Sequence, residues 1–201
     1  MDIRTIKSKF PIFKNKINGK ELIYLDNANS SQKPQALIDR ISKFYSKEFS
    51  NVGRSVHSLA VTATNRFEET RDLIKNYVNA KSREEIIFTK NATESINLVA
   101  SAFGDKFINK GDEIVITELE HHANYVPWHF LREKKGAVIK FAECNENAEV
   151  DIEEIKKLIT NKTKMIAVTH LSNVTGAIMP IKKIVDLAND KKIPVLVDGC
   201  Q

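Results

Sequence analysis

Apolar positions change their period along this chain, and the change separates a helical N-terminal part from an alternating one. A short apolar run, Leu22 to Leu25, reads as a first strand. Pro34 then gives a helix start signal, and Leu37, Ile41, Phe44 and Tyr45 fall on one face of a helix reaching about Phe49. A second helix is expected from about Val56 to Val78. Beyond it, short β-branched runs alternate with helical stretches. Strands are expected at Ile86 to Thr89, Glu113 to Thr117, Val138 to Ala142, Lys164 to His170 and Pro194 to Asp198. The helices between them run roughly Thr93 to Phe103, Asn124 to Lys135, Ile152 to Leu158 and Ile181 to Asp190.

Runs such as MIAVTHL and PVLVD are apolar almost throughout, which suits strands covered on both faces by crossover helices. The expected fold class is therefore α/β, a mostly parallel sheet with helices on both faces. No repeat, low-complexity tract or Pro/Gly/Ser-rich linker interrupts the pattern. The expected organisation is an N-terminal arm with the first short strand, 1–30, and a large domain, 31–201.

Composition narrows the function classes. Hydrophobic residues make up 42% and charged residues 28%, ordinary for a chain that buries a sizeable core. The net charge of +5 comes from lysines interleaved with acids rather than from a basic block, so nucleic acid is not an expected partner. No stretch approaches the ~20 apolar residues of a membrane span, and Met1 to Phe13 lacks the apolar run of a signal peptide. Cys144 and Cys200 form neither a CxxC pair nor a disulfide framework, so a reducing, cytoplasmic setting is expected.

In open parallel sheets ligands bind beyond the carboxyl ends of the strands. Four segments lie there: Thr89 to Thr93, Glu118 to His122, His170 to Asn173, and Asp198 to Gln201. Asn91, Ala92, Thr93 and Glu94 open a helix, where backbone N–H groups and the dipole suit a phosphate; alternatively Thr93 or Asn91 is simply an N-cap. Asp198 ends an apolar strand and needs a cation or a donor. A protonated pyridine nitrogen is one such partner, and a cap on the following turn is the other reading. His121 could lay its imidazole over an aromatic cofactor, or be structural. Asn173 and Gln201 are neutral groups suited to a ring oxygen. The His121-His122 pair could suggest a metal, but adjacent histidines in an extended segment point to opposite sides and no spaced Cys/His set accompanies them, so no metal is expected.

The segments YLDNANSSQKP, NVGRSVHSLAVTAT, IIFTKNATESINLVA, GDEIVITELEHHANYVPWHFL, HLSNVTGAIMPI and VLVDGCQ, in this order and at these spacings, resemble SUF-type cysteine desulfurases. These belong to the class V aminotransferase-like, fold-type I enzymes that use pyridoxal 5′-phosphate. The resemblance covers essentially the whole chain. It implies that Ala92 and Thr93 hold the cofactor phosphate, that His121 stacks on the pyridine ring as the catalytic histidine, that Asp198 pairs with the ring nitrogen, and that Asn173 and Gln201 bond the ring hydroxyl.

It further implies conversion of L-cysteine to L-alanine, sulfur passing through a protein persulfide to an acceptor protein for iron–sulfur cluster assembly, in a homodimer when full length. Two features that the resemblance leads one to expect, a cofactor-bearing lysine after two further strands and a persulfide-forming cysteine, do not occur within 1–201, and neither Lys90 nor Cys200 is expected to replace them. The chain is thus expected to be the first half of such an enzyme and inactive alone, with Ile86 to Thr89 detached and the apolar edge at Val195 to Val197 left open. Gly53 stands where the family usually has histidine, and Asn29 where it commonly has a small residue. Other class V enzymes, such as a selenocysteine lyase, or a non-catalytic scaffold are the alternatives.

Overall fold

The computed structural model describes residues 2–201, which divide into two compact units, one ending at Phe88 and one running from Thr89 to Gln201. The division falls after a 3₁₀ turn, Arg83–Glu85.

The first unit opens with helix α1 (Ile3–Lys7), a 3₁₀ turn at Pro11–Lys14, and a hairpin of β1 (Lys16–Ile17) and β2 (Lys20–Glu21). Asn18 and Gly19 both have positive φ, 52° and 77°, which is the two-residue hairpin turn that an Asn-Gly pair favours. This corrects the strand expected at Leu22 to Leu25. Pairing is set by the turn, and the apolar run beyond it lies outside the ladder, with Ile23 and Leu25 exposed.

Helix α2 (Gln35–Lys43) passes into a π-helical turn at Phe44–Glu48, so the single helix expected to Phe49 is two pieces. Phe44, Tyr45 and Phe49 meet ring to ring there. Burial pushes the Glu48 carboxyl upward, but Arg40, Arg66 and Lys43 around it hold it below the ordinary glutamate value. Helix α3 spans Ser58–Tyr77. Gly53, where histidine was anticipated, has φ +124°, a conformation that side-chain-bearing residues rarely adopt, and its N–H donates to Thr64 Oγ1 at 3.0 Å. The backbone shape at this position therefore favours glycine.

The second unit contains α4 (Ala92–Phe107), β3 (Glu113–Thr117), α5 (Val126–Lys135), β4 (Val138–Ala142), α6 (Ile152–Leu158), β5 (Thr163–Thr169), α7 (Ile181–Asn189) and β6 (Val195–Asp198). The strands form one parallel sheet in the order β4-β3-β5-β6. The side-chain period of two then assigns the faces. Ile114 and Ile116 of β3 and Met165 and Ala167 of β5 pack on one side with Ile96 of α4 and Trp128 of α5. Val115, Ile166 and Val168 pack on the other with Ile155 of α6 and Ile184 of α7. Both faces are covered, which is why these strands read as continuous apolar runs. Gly104 lets α4 approach α5 closely: a Cβ there would lie 2.6 Å from Leu131 Cδ1.

The expected α/β class with a parallel sheet and helices on both faces is what the fold is. Some boundaries differ. Helix α4 starts at Ala92 and runs to Phe107, β5 begins and ends one residue early, and the helix expected from Asn124 splits into a 3₁₀ turn (His122–Asn124) and α5, which starts at Val126. Residues 86–89 form no ladder. A strand needs a neighbour to complete its hydrogen bonds, and among the described residues no strand pairs with this segment. Among the described residues strand β6 is an edge, paired on one side with β5 and with no strand on the other.

Candidate functional site at the carboxyl edge of the sheet

Because the four strands are parallel, the segments that follow them gather at one edge. At the start of α4, Asn91 is the N-cap: its Oδ1 accepts from Glu94 N at 2.9 Å, while Glu94 Oε2 reaches back to accept from Lys90 N at 2.6 Å. This reciprocal arrangement satisfies two donors and leaves the N–H groups of Ala92 and Thr93 in the first turn, without intrahelical acceptors. The cap is thus Asn91 and not Thr93. Thr93 is exposed, and its carbonyl accepts from Asn97 Nδ2 at 2.8 Å.

Asp198, at the end of β6, is buried at 7% exposure. Its Oδ1 accepts from Cys200 N at 3.2 Å, so the carboxylate caps the turn that follows the strand. Its carbonyl accepts from His170 N at 2.8 Å, tying the ends of β5 and β6 together. An open cavity of about 490 Å³ lies between these features, with Thr89, Ala92, Ser95, Val99, Leu196 and Asp198 among its lining residues. Ala92 and Asp198 therefore share one cavity. Thr93, His121, Asn173 and Gln201 are not on its lining, although the loops bearing His121, Asn173 and Gln201 leave the same edge of the sheet.

His121 caps the 3₁₀ turn that follows β3. Its Nδ1 accepts from Ala123 N at 3.1 Å, which assigns the proton of the neutral ring to Nε2. The ring is exposed and lies 6.0 Å, centroid to centroid, from that of His122. Asn173 is exposed in a turn in which Ser172 Oγ accepts from Val174 N and Thr175 N, both at 3.3 Å. Gln201 is exposed. Among the described residues no group of three or more His, Cys, Asp or Glu is placed to hold a metal ion.

Burial, and then the Asp198 carboxylate beside it, push the Cys200 thiol above its ordinary value. At pH 8, Asp198→Asn is accordingly expected to speed iodoacetamide alkylation of Cys200 about threefold or more, since the thiolate is the reactive form. Peptide mass spectrometry after timed labelling reads this directly, and an unchanged rate would separate the two residues electrostatically.

Glu120 escaped the sequence reading. Its Oε1 accepts from Thr117 Oγ1 at 2.6 Å and from Thr169 N at 3.0 Å, and its Oε2 accepts from Asn124 Nδ2 at 2.6 Å. Burial, partly offset by these bonds, raises its pKa, and Asp198 adds to the rise. Two of its three partners come from the following turn and from β5, so its sequence neighbours gave little signal.

The class-V aminotransferase profile matches residues 23–201, nearly the whole chain. The chain belongs to the class-V aminotransferase family. Over 200 residues it is 46% identical to a probable cysteine desulfurase of Mycolicibacterium paratuberculosis, covering 100% of this chain and 29% of that protein. Over 197 residues it is 44% identical to a probable cysteine desulfurase of Synechocystis, covering 98% and 47%. The apo structure of a cysteine desulfurase from Thermococcus onnurineus superposes with a TM-score of 0.91 at 34% identity, over 99% of this chain and 48% of that one. The chain thus spans about half, or less, of the length of these class-V relatives. Among the described residues no helix is long and apolar enough to cross a membrane.

Proposed function

We propose that this chain forms the cofactor-cradling part of a pyridoxal-phosphate-dependent cysteine desulfurase. The observation that carries the reading is the pairing, across one cavity, of a buried carboxylate with the amide-bearing start of a helix. A buried Asp198 suits a protonated ring nitrogen, and first-turn N–H groups suit a phosphate, so the two ends match the two charges of pyridoxal phosphate. The donor set fits the group.

Ala92 and Thr93 would hold the phosphate, Asp198 the ring nitrogen, and Asn173 and Gln201 the ring hydroxyl. His121, whose Nδ1 is engaged by Ala123, would present the face of its ring to the cofactor with Nε2 carrying the proton. When bound, pyridoxal phosphate supplies an electron sink for bonds broken on the substrate's carbons. Asp198 preserves that capacity by keeping a negative charge at the ring nitrogen. The names of the relatives support cysteine as substrate. The reading adds alanine as product, with sulfur transferred to a protein cysteine and then to an acceptor protein for iron–sulfur cluster assembly. The reading includes a homodimer, an arm at 1–30 followed by the large domain, and a reducing cytoplasmic setting, the last supported by the two free cysteines.

The test uses a protein of the relatives' full length that carries this sequence, loaded with pyridoxal phosphate. Alanine should form from L-cysteine together with a protein persulfide, and the isolated 1–201 chain should give neither above the rate of the free cofactor. Alanine from selenocysteine but not from cysteine would move the assignment to a lyase. Alanine from neither substrate would overturn it.

A further inference from the structure

The turn that carries His121 is closed by its two neighbours in a way that a surface turn does not need. Glu120 and Asn124 bracket the turn, and Glu120 Oε2 accepts from Asn124 Nδ2 at 2.6 Å across its mouth. Inside the bracket, Asn124 N donates to His121 O at 2.8 Å and Ala123 N donates to His121 Nδ1 at 3.1 Å.

Both ends of the staple are anchored in the core. Asn124 is fully buried, and its Oδ1 accepts from Nε1 of the fully buried Trp128 at 3.2 Å, which fixes which face of the amide points at Glu120. The other Glu120 oxygen takes the N–H of Thr169. In the register of the sheet, Ile116 stands opposite Ala167, so Thr169 lies past the end of β3 and Glu120 replaces the missing ladder partner. One carboxylate therefore joins the ends of β3 and β5 to the turn holding the imidazole. We infer that Glu120 is a positioning residue, which with Asn124 staples the His121 turn to the sheet and fixes the imidazole at the carboxyl edge. The staple stands on this geometry alone; why His121 has to be held rests on the proposed cofactor reading.

A carboxylate at position 120 is required by the donor pattern. In Glu120→Gln, one end of the side chain can still accept from Thr169 N, but its NH₂ then faces the NH₂ of Asn124. Asn124 cannot turn over without setting that NH₂ against the Trp128 N–H. Combining Glu120→Gln with Asn124→Asp reverses the polarity of the bond, because the carboxylate now at position 124 accepts both from the amide at position 120 and from Trp128.

The test is hydrogen exchange by mass spectrometry on the 1–201 chain, at the backbone amides of Ala123 and Asn124 and at the C2–H of His121. Glu120→Gln should speed the two amides about tenfold or more while β3 and β5 stay within about twofold, the pattern of a local opening. The double variant, Glu120→Gln with Asn124→Asp, should return the amides to within about threefold of wild type, and the rate of His121 C2–H exchange at a fixed pH should change in the single variant and return in the double. If Glu120→Gln folds too poorly to read, Asn124→Ala opens the same staple from its other end and should give the same local pattern. Unchanged amides, acceleration spread evenly over β3 and β5, or a double variant no slower than the single would each overturn the inference. Because no cofactor enters the measurement, its failure leaves the desulfurase reading to its own test.

Discussion

In a full-length protein carrying this sequence, Asp198→Ala is expected to lower turnover of L-cysteine by about a hundredfold or more, the scale of removing one preorganised electrostatic partner. Asp198 is buried at the strand end and lines the same cavity as the start of α4, so no water-exposed group takes its place beside the ring nitrogen. Asn173 sits in an exposed turn and would only tune a ring oxygen, so Asn173→Ala should cost about tenfold or less. Steady-state alanine formation under saturating cofactor distinguishes the two. Near-wild-type turnover in Asp198→Ala would remove Asp198 from the catalytic set.

The isolated 1–201 chain is expected to associate through β6. Val195 to Asp198 pair on one side with β5 and present an open edge on the other, and Val197 is 39% exposed. The strand is short, yet it carries no lysine, proline or bulge of the kind that protects natural edges. Sedimentation velocity at increasing concentration should show reversible dimers or larger species. Val197→Lys should shift the population to monomer, with its side chain opposing a second strand. A monodisperse monomer over the same range in the unmodified chain would show that the edge is inert. The core itself is complete in either case, since both faces of the sheet are packed.

How much could be read in advance varied with how local the cause was. The sheet strands β3 to β6 were legible because burial on both faces leaves a continuous apolar signature, as in Glu113–Thr117 and Thr163–Thr169. Leu22 to Leu25 carries a similar signature without being a strand, because the Asn18-Gly19 turn pairs the residues before it. Ile86 to Thr89 pairs with no strand among the described residues, as expected of a strand whose apolar composition does not supply a partner. The places of Asp198 at a strand end and Ala92 at a helix start were legible because those are points where the backbone forces polar chemistry. The cap fell to Asn91 rather than Thr93 because Asn91 Oδ1 accepts from Glu94 N while the Glu94 carboxylate accepts from Lys90 N just before it. Glu120 was hidden because its meaning lies in Thr169, far along the chain, and in an amide whose orientation is set by Trp128.

The proposed function requires that Asp198 face a cationic ring nitrogen in this cavity. The most direct measurement is the ¹⁵N chemical shift of ring-labelled pyridoxal phosphate bound to a full-length protein carrying this sequence, compared with the Asp198→Asn variant. A protonated nitrogen in the wild type and a deprotonated one in the variant is the expected result. The same deprotonated shift in both proteins would contradict it.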